Sequence, residues 1–259
     1  MISSELLGEG PDLVLIHGVG LDRRMWSRCA PRLAEDYRVR LVDMRGHGRS
    51  PEAGPGTTLT DLAADVAELL DGPTHVVGFS LGALVGQQLA LAFPDRVSSL
   101  TLVSSVATRT PEEREAVLGR LQVAAADLAE TSRRAVDRWF SPEWRAAEPA
   151  LAEEILATLL ANDEASYLRC YEIFATGDAE LAPRLSEIAA PTLAVTGELD
   201  PGSTPDMSYR LAAAIPGARA LVIPGTRHLL PLERPTELID AVLEHTRGVD
   251  RDVRTAAQA

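Results

Sequence analysis

The stretch from Gly78 to Gly82, with the sequence Gly-Phe-Ser-Leu-Gly, constrains the fold of this chain more than any other. An apolar run at residues 75–79 predicts a short buried strand, and a helical pattern at 81–93 ends at a proline. Ser80 therefore lies at the apex of a sharp strand-to-helix turn, a context typical of a serine nucleophile. The glycines on both sides lack the Cβ atoms that would keep strand and helix apart.

Strand and helix patterns alternate over the first hundred residues, which predicts a mostly parallel, doubly wound α/β sheet. The predicted strands cover residues 2–7, 13–16, 37–42, 75–79, 99–103, 191–196 and 220–223. The predicted helices of this part cover residues 26–34, 59–70, 81–93 and 235–246. The run at 13–16 is continuously apolar, as expected of a central strand that is covered on both faces.

The alternation stops after residue 107, where about eighty residues show helical patterns without a convincing strand. The predicted helices of this stretch are 112–129, 132–139, 149–161 and 164–176. We therefore predict an α/β core formed by residues 1–107 and 186–247, with residues 108–185 inserted as a helical cap. Residues 248–259 are polar and rich in alanine, and we predict that they form a flexible tail.

Composition excludes several classes of partner. The formal net charge of −13 argues against nucleic acid and anionic membranes, since either would require a basic surface. Two isolated cysteines, Cys29 and Cys170, have neither metal-ligand spacing nor disulfide density, which favours a reducing cytoplasm. The N-terminus lacks the pattern of a signal peptide, and no run approaches a membrane span. Oligomeric state is not predicted.

A serine hydroxyl needs a base within hydrogen-bond reach and a third group that orients the base. Of five histidines, only His228 stands in a short loop directly after the last predicted strand. Loops after parallel strands gather at one edge of the sheet, where ligands bind, so we predict His228 as the base. The other four histidines are interpreted as structural or surface residues. Asp200 follows the strand at 191–196 and is the predicted acid, whereas Asp178 and Asp206 are interpreted as solvated loop carboxylates.

An oxyanion formed on attack needs donors that are already in place. The backbone N–H of Leu81 is one predicted donor, since it follows the serine at a helix N-terminus. Val19, in the loop after the strand at 13–16, is the second. The chain order Ser80, Asp200, His228 differs from the orders of the two well-known serine protease types.

Together these features resemble the α/β-hydrolase superfamily. The residues that carry the resemblance are His17-Gly18, Asp43-x-Arg45-Gly46-x-Gly48-x-Ser50, the Gly78–Gly82 stretch, Gly197-x-x-Asp200 and His228. The resemblance implies an α/β-hydrolase fold and a serine hydrolase that requires neither metal nor organic cofactor. It also implies that the 43–50 loop is structural. The usual leading β-hairpin is shortened here to a single strand before Leu13.

The cap carries a second resemblance. Residues 137–144, and later Tyr167-x-x-Cys170, are similar to stretches of the 3-oxoadipate enol-lactone hydrolases. This resemblance implies a small enol-lactone substrate with a carboxylate, which Arg138 or Arg169 would bind in bidentate geometry. Trp139 is a further candidate for substrate binding. The alternative is that both arginines are solvated and that Trp139 only packs the cap onto the core.

The expected function is hydrolysis of a small carboxylic ester or lactone through an acyl-enzyme. Two alternatives use the same triad on other substrates: a different small-ester or thioester hydrolase, and a hydrolase of carbon–carbon bonds. A third is a non-catalytic, ligand-binding protein with this fold and a dormant triad.

Overall fold

A seven-stranded sheet with the order β1-β3-β2-β4-β5-β6-β7 forms the centre of the computed structural model, which describes residues 1–256. The strands are β1 (Ser4–Leu7), β2 (Asp12–Ile16), β3 (Arg38–Val42), β4 (Thr74–Phe79), β5 (Val97–Val103), β6 (Thr192–Gly197) and β7 (Arg219–Ile223). β1 is antiparallel to β3, and every other neighbouring pair is parallel. The mostly parallel α/β fold class is thus confirmed, as is the single strand before β2.

The α-helices surround this sheet. In chain order they are α1 (Ala30–Leu33), α2 (Leu59–Ala67), α3 (Leu81–Ala92), α4 (Pro111–Ala126), α5 (Leu128–Trp139), α6 (Pro142–Ala147), α7 (Pro149–Leu160), α8 (Glu164–Leu181), α9 (Pro205–Ala214), α10 (Leu230–Glu233) and α11 (Pro235–Ala256). All six residues of β4 are buried. Because successive side chains of a strand point to opposite faces, both faces of the central strand are covered.

Strand register brings the loops of the site to one edge of the sheet. Ile16 at the end of β2 lies opposite Gly78 of β4, and Phe79 lies opposite Val103 of β5. Parallel strands that end level with one another place the chain segments that follow them side by side. The loop after β2 and the turn after β4 are therefore neighbours.

Five helices, α4 to α8, lie between β5 and β6, where the sequence predicts an inserted helical segment. The segment also contains α6, which the sequence patterns miss because it has only six residues. The predicted helix at 26–34 is divided into a 3₁₀ turn at Arg23–Trp26 and the four-residue α1. Pro31 explains this division, since proline removes a backbone donor and clashes with the preceding turn.

α9 is a helix that the sequence analysis misses. It connects β6 to β7, which are parallel and therefore need a crossover between them. Two local signals mark its beginning: Thr204 at the N-cap position and Pro205 in the first turn.

The last helix extends ten residues beyond its predicted end at Thr246. Asp250 explains the extension, because its carboxylate oxygens contact Tyr37 Oη at 3.2 Å and His75 Nε2 at 3.1 Å. The structure thus corrects the predicted tail over residues 248–256, which are helical. Residues 257–259 lie outside the described part of the chain.

Within residues 1–256, no helix has both the length and the apolar character needed to cross a lipid bilayer. The same residues contain no group of three His, Cys, Asp or Glu side chains placed to hold a metal ion.

Candidate active site

Ser80 occupies a strained turn between β4 and α3. Its backbone φ of 53° and ψ of −111° lie outside the usual regions for a residue with a side chain. A Cβ atom on Gly78 would lie 2.2 Å from the carbonyl oxygen of Gly82, and one on Gly82 would lie 2.4 Å from that of Ile16. Only glycine fits at either position, so the steric role predicted for the two glycines is confirmed.

The three predicted triad residues converge on one cavity between the cap and the core. Ser80, Asp200 and His228 all line it, and each is at least 94% buried. The cavity measures about 40 Å³. One water needs roughly 10–15 Å³ of such a cavity, so the space is enough for a few waters, and cap side chains would have to move to admit an ester or lactone.

Asp200 and His228 form a short hydrogen bond. His228 Nδ1 lies 2.6 Å from Asp200 Oδ2, while the other carboxylate oxygen accepts the N–H groups of Gly202 at 2.8 Å and Ser203 at 2.9 Å. The carboxylate is therefore fixed on both oxygens. Since a carboxylate accepts, the proton of the neutral imidazole is assigned to Nδ1, which leaves Nε2 free to act as a base.

Ser80 and His228 share the cavity, but no hydrogen bond joins their two side chains. The His228 ring packs against Phe79, with 4.9 Å between ring centroids. Hydrogen bonds between a catalytic serine and its base are often long in structures without substrate and shorten when substrate binds.

The predicted oxyanion donors flank Ser80 on two sides. Leu81 is the first residue of α3, so its N–H has no acceptor within the helix. Val19 lines the same cavity, and a Cβ atom on the neighbouring Gly18 would lie 3.2 Å from Ser80 Cβ. The loop after β2 thus passes directly beside the serine.

Two buried histidines hold this loop in place. His17 Nε2 accepts the N–H of Met44 at 2.9 Å, and His47 Nε2 accepts that of Gly20 at 2.9 Å. Burial lowers the pKa of both, that of His47 to about 3. Both are neutral acceptors within the scaffold, which agrees with the structural role implied for the 43–50 loop.

Two of the three predicted cap residues reach the cavity. Arg138 and Trp139, at the end of α5, line it, and the Trp139 ring centroid lies 5.8 Å from that of His228. Arg169 is not among the lining residues, which corrects the expectation for it. Its guanidinium donates to Thr57 O at 2.8 Å and to Glu172 Oε2 at 2.6 Å, and this pairing turns it away from the cavity.

Arg120, on α4, lines the cavity with Arg138 and is not among the residues predicted from the sequence. Within residues 1–256, neither guanidinium has a carboxylate within 4 Å, and Arg138 donates only to the Arg134 carbonyl at 3.4 Å. Burial lowers the pKa of Arg138. No sequence signal marks Arg120, because its place depends on how α4 packs beside α5.

Ser104 is a second residue that was missed. It follows β5 directly, and its hydroxyl donates to the His228 carbonyl oxygen at 2.9 Å. Its backbone φ of 47° is strained, like that of Ser80. A signal was available, since a polar residue directly after a buried strand lies at the edge where ligands bind.

The two aspartates interpreted as solvated loop carboxylates differ from each other. Asp206 is exposed, as predicted, but it lies in the first turn of α9 and not in a loop. Asp178 lies within α8, and its side chain is fully buried against Arg109, with 2.6 Å between Nη1 and Oδ1. The expectation for Asp178 is therefore wrong. Its partner is distant in the chain, so the sequence does not reveal the pairing.

Neither cysteine competes with Ser80 as a nucleophile. Cys29 and Cys170 are both unpaired and buried, and burial raises the pKa of each thiol to about 12. The thiolate is the reactive form, so both are inert at neutral pH.

Comparison with known proteins decides the family. Residues 13–241 match the model of the alpha/beta hydrolase family. The chain belongs to this family. It is 30% identical over 239 residues to (E)-2-((N-methylformamido)methylene)succinate hydrolase of Acinetobacter baylyi, covering 91% of this chain and 90% of the relative.

Two further relatives are named as an esterase and a lactonase. Pimeloyl-[acyl-carrier protein] methyl ester esterase of Aeromonas hydrophila is 33% identical over 258 residues, covering 95% of this chain and 99% of that protein. The crystal structure of the enol-lactonase from Burkholderia xenovorans LB400 matches with a TM-score of 0.86 and 26% identity, covering 95% of this chain and 96% of that one. These names support hydrolase activity, and the enol-lactonase agrees with the resemblance in the cap.

Proposed function

We propose that this protein is a cytoplasmic serine hydrolase that cleaves a small carboxylic ester or lactone, of the enol-lactone type, through an acyl-enzyme. One observation carries the proposal: Ser80, held in a strained turn, shares a buried cavity with the hydrogen-bonded pair of Asp200 and His228. A nucleophile, a base and a group that orients the base are the minimum for this chemistry. The buried, unpaired cysteines support a reducing compartment.

In the proposed reaction His228 Nε2 takes the Ser80 proton while Oγ attacks the carbonyl carbon. The N–H groups of Val19 and Leu81 stabilise the negative charge on the carbonyl oxygen. Collapse of the tetrahedral intermediate breaks the ester C–O bond, and His228 returns the proton to the leaving oxygen. Water, deprotonated by the same histidine, then attacks the acyl-enzyme and releases the acid. The cycle requires neither metal nor organic cofactor.

The cap at residues 108–185 would supply the specificity. We propose that Arg138, assisted by Arg120, binds a carboxylate of the substrate and that Trp139 packs against its carbon skeleton. Among the residues that the structure describes, neither arginine has a carboxylate partner, although both lie beside the cavity. Burying unpaired cations costs free energy, and a bound carboxylate would offset that cost. One relative in support is named for a substituted succinate, which carries two carboxylates.

Substitution of Ser80 by Ala tests the reaction. Turnover of an enol-lactone or a p-nitrophenyl ester should fall by at least about 10³-fold, while circular dichroism and the melting temperature stay near those of the parent. A fluorophosphonate should label the parent at Ser80 and leave the variant unmodified. Near-normal turnover by Ser80→Ala would refute the proposal, and absence of any adduct on the parent would favour the ligand-binding alternative.

Substitution of Arg138 by Gln tests the substrate class. For an ester with a free carboxylate, KM should rise roughly tenfold or more, whereas kcat/KM for the matching methyl-capped diester should change less than about twofold. Arg134→Gln is the matched control, because Arg134 lies one turn earlier on α5, is exposed and pairs with Glu130. Equal effects of Arg138→Gln on both substrates would show that the arginine does not bind the carboxylate.

A further inference from the structure

The end of helix α5 in the cap is hydrogen-bonded to the loop that carries His228. The carbonyl oxygen of Trp139 accepts the N–H of His228 at 3.0 Å and that of Leu229 at 3.2 Å. The carbonyl of His228 accepts the Ser104 hydroxyl at 2.9 Å. The backbone of the candidate base is therefore held by the cap on one side and by the core on the other.

Arg227 strengthens this connection. Its Nη1 donates to the carbonyl oxygens of Asp137 at 3.1 Å and Phe140 at 3.2 Å. The last carbonyls of a helix have no partner within the helix, and they carry its partial negative charge. The Arg227 guanidinium satisfies one of them, that of Asp137, together with the carbonyl of Phe140 just after the helix. The cation and the helix terminus thus attract each other next to the histidine.

Glu233 provides a further connection between the cap and this loop. It is 92% buried, and its two carboxylate oxygens accept different backbone N–H groups. Oε1 accepts Ser141 N–H at 3.2 Å, just after α5, and Oε2 accepts Arg227 N–H at 3.1 Å. One carboxylate therefore bridges the cap and the loop of the candidate base.

We propose that Arg227 and Glu233 are positioning residues that hold the His228 imidazole in line with Ser80 only while the end of α5 is seated on the core. If α5 lifts away, the N–H of His228 loses its acceptor and the loop loses its attachment to the cap. This inference rests on the proposed function, because it assigns the role through His228.

Arg227→Ala tests the proposal. We expect kcat for a small neutral ester to fall about tenfold or more, with KM changed less than twofold, because misplacement of a base by about 1 Å can cost as much as 10²-fold. Added guanidinium chloride at low millimolar concentration should restore part of that kcat, since the free cation can occupy the site between the two carbonyls. Arg227→Lys should retain more activity than the alanine variant.

Arg184→Ala is the control, because Arg184 is half-buried and, within residues 1–256, forms its ion pair with the nearby Glu187 alone. It should keep full kcat and show no response to guanidinium. Concentrations of folded enzyme are set by titration with a fluorophosphonate, so that partial unfolding does not imitate a loss of kcat. Glu233→Gln provides a second variant, which keeps the side-chain volume but replaces one acceptor by a donor, and its kcat should also fall at unchanged KM.

The proposal is wrong if Arg227→Ala keeps parental kcat per folded molecule, or if its loss is not reversed by guanidinium and is not reduced in the lysine variant. These outcomes can be distinguished from failure of the proposed reaction. If Ser80→Ala stays active, the reaction itself is wrong. If Ser80→Ala is inactive while Arg227→Ala is normal, only the positioning role is wrong.

Discussion

His47 Nε2 accepts the N–H of Gly20 at 2.9 Å, and this hydrogen bond holds the loop that carries Val19, the candidate oxyanion donor. His47 Nδ1 lies 3.1 Å from the Arg45 carbonyl, so its proton is on Nδ1 and the neutral ring acts as donor and acceptor at once. A second proton on Nε2 would face the Gly20 N–H directly. The position of the loop after β2 thus depends on His47 staying uncharged.

Stability should therefore fall with pH below about 6.5. The pKa of His47 is about 3 in the folded protein against an ordinary value of 6.5, so between these limits the unfolded chain binds the extra proton. Each pH unit within this window costs about 1.4 kcal/mol once the unfolded histidine is protonated. In urea unfolding at pH 7.5, 6.0 and 5.0, His47→Gln should lose less stability than the parent. If the free energy of unfolding falls equally with pH in both proteins, His47 is not the cause of the loss.

Gly82→Ala should disrupt the turn at Ser80. The new methyl group would lie 2.4 Å from Ile16 O and 2.5 Å from His17 O, and both are backbone atoms that cannot swing aside. We expect a loss of about 3 kcal/mol in the free energy of unfolding, with activity lost as well. Gly119→Ala is the control, because nothing lies within 4 Å of its added Cβ on α4. The free energy of unfolding of Gly119→Ala should rise by roughly 0.5–1 kcal/mol. Equal losses of stability in the two variants would refute the steric explanation.

Asp200→Asn should remove most of the turnover while the fold is retained. The amide can present N–H groups to His228 Nδ1, which favours the tautomer with its proton on Nε2 and leaves no base facing Ser80. kcat should fall roughly 10²–10⁴-fold, measured on an activated ester between pH 6 and 9. Asp206→Asn, at an exposed position, should behave like the parent. If kcat of Asp200→Asn falls by less than about threefold, Asp200 is not the acid that orients His228.

Asp178→Ala should destabilise the cap severely. Arg109 donates to Asp178 through its backbone N–H at 3.0 Å and through Nη1 at 2.6 Å. The substitution leaves the buried guanidinium without a carboxylate, with only the carbonyl oxygens of Phe174 and Ala175 as acceptors. Breaking a buried pair in this way costs about 3–5 kcal/mol. On the same helix, Glu172→Ala removes an exposed pair with Arg169 and should cost less than about 1 kcal/mol. Urea unfolding of both variants makes the comparison; similar losses would contradict it.

Local patterns were sufficient for most of the core strands and for the candidate triad. β2 and β4 are short apolar runs that end in polar or glycine-rich segments, so their type and the placing of Ser80 follow from the period of the side chains. Asp200 and His228 could be selected because parallel strands deliver the residues that follow them to one edge. These inferences need only the order of elements along the chain.

Helix ends and side-chain pairs are harder to predict from the sequence. The helical pattern predicts an end at Thr246, but α11 continues for ten more residues. Asp250 in this extension contacts Tyr37 and His75, which are far away in the chain. Asp178 looked like a solvated acid because its partner Arg109 lies 69 residues away. Side-chain pairing of this kind depends on packing, which local propensity does not encode.

The sequence by itself determined that a serine would stand at a strand-to-helix turn, with an acid and a histidine after later strands of one parallel sheet. Glycine sterics and the geometry of parallel strands suffice for that. Only the tertiary structure decided which cap arginines face the cavity, Arg120 and Arg138 but not Arg169, and that the Trp139 carbonyl holds the loop of His228. Those contacts depend on how helices cross one another, and helices of similar amphipathic pattern can cross in several ways.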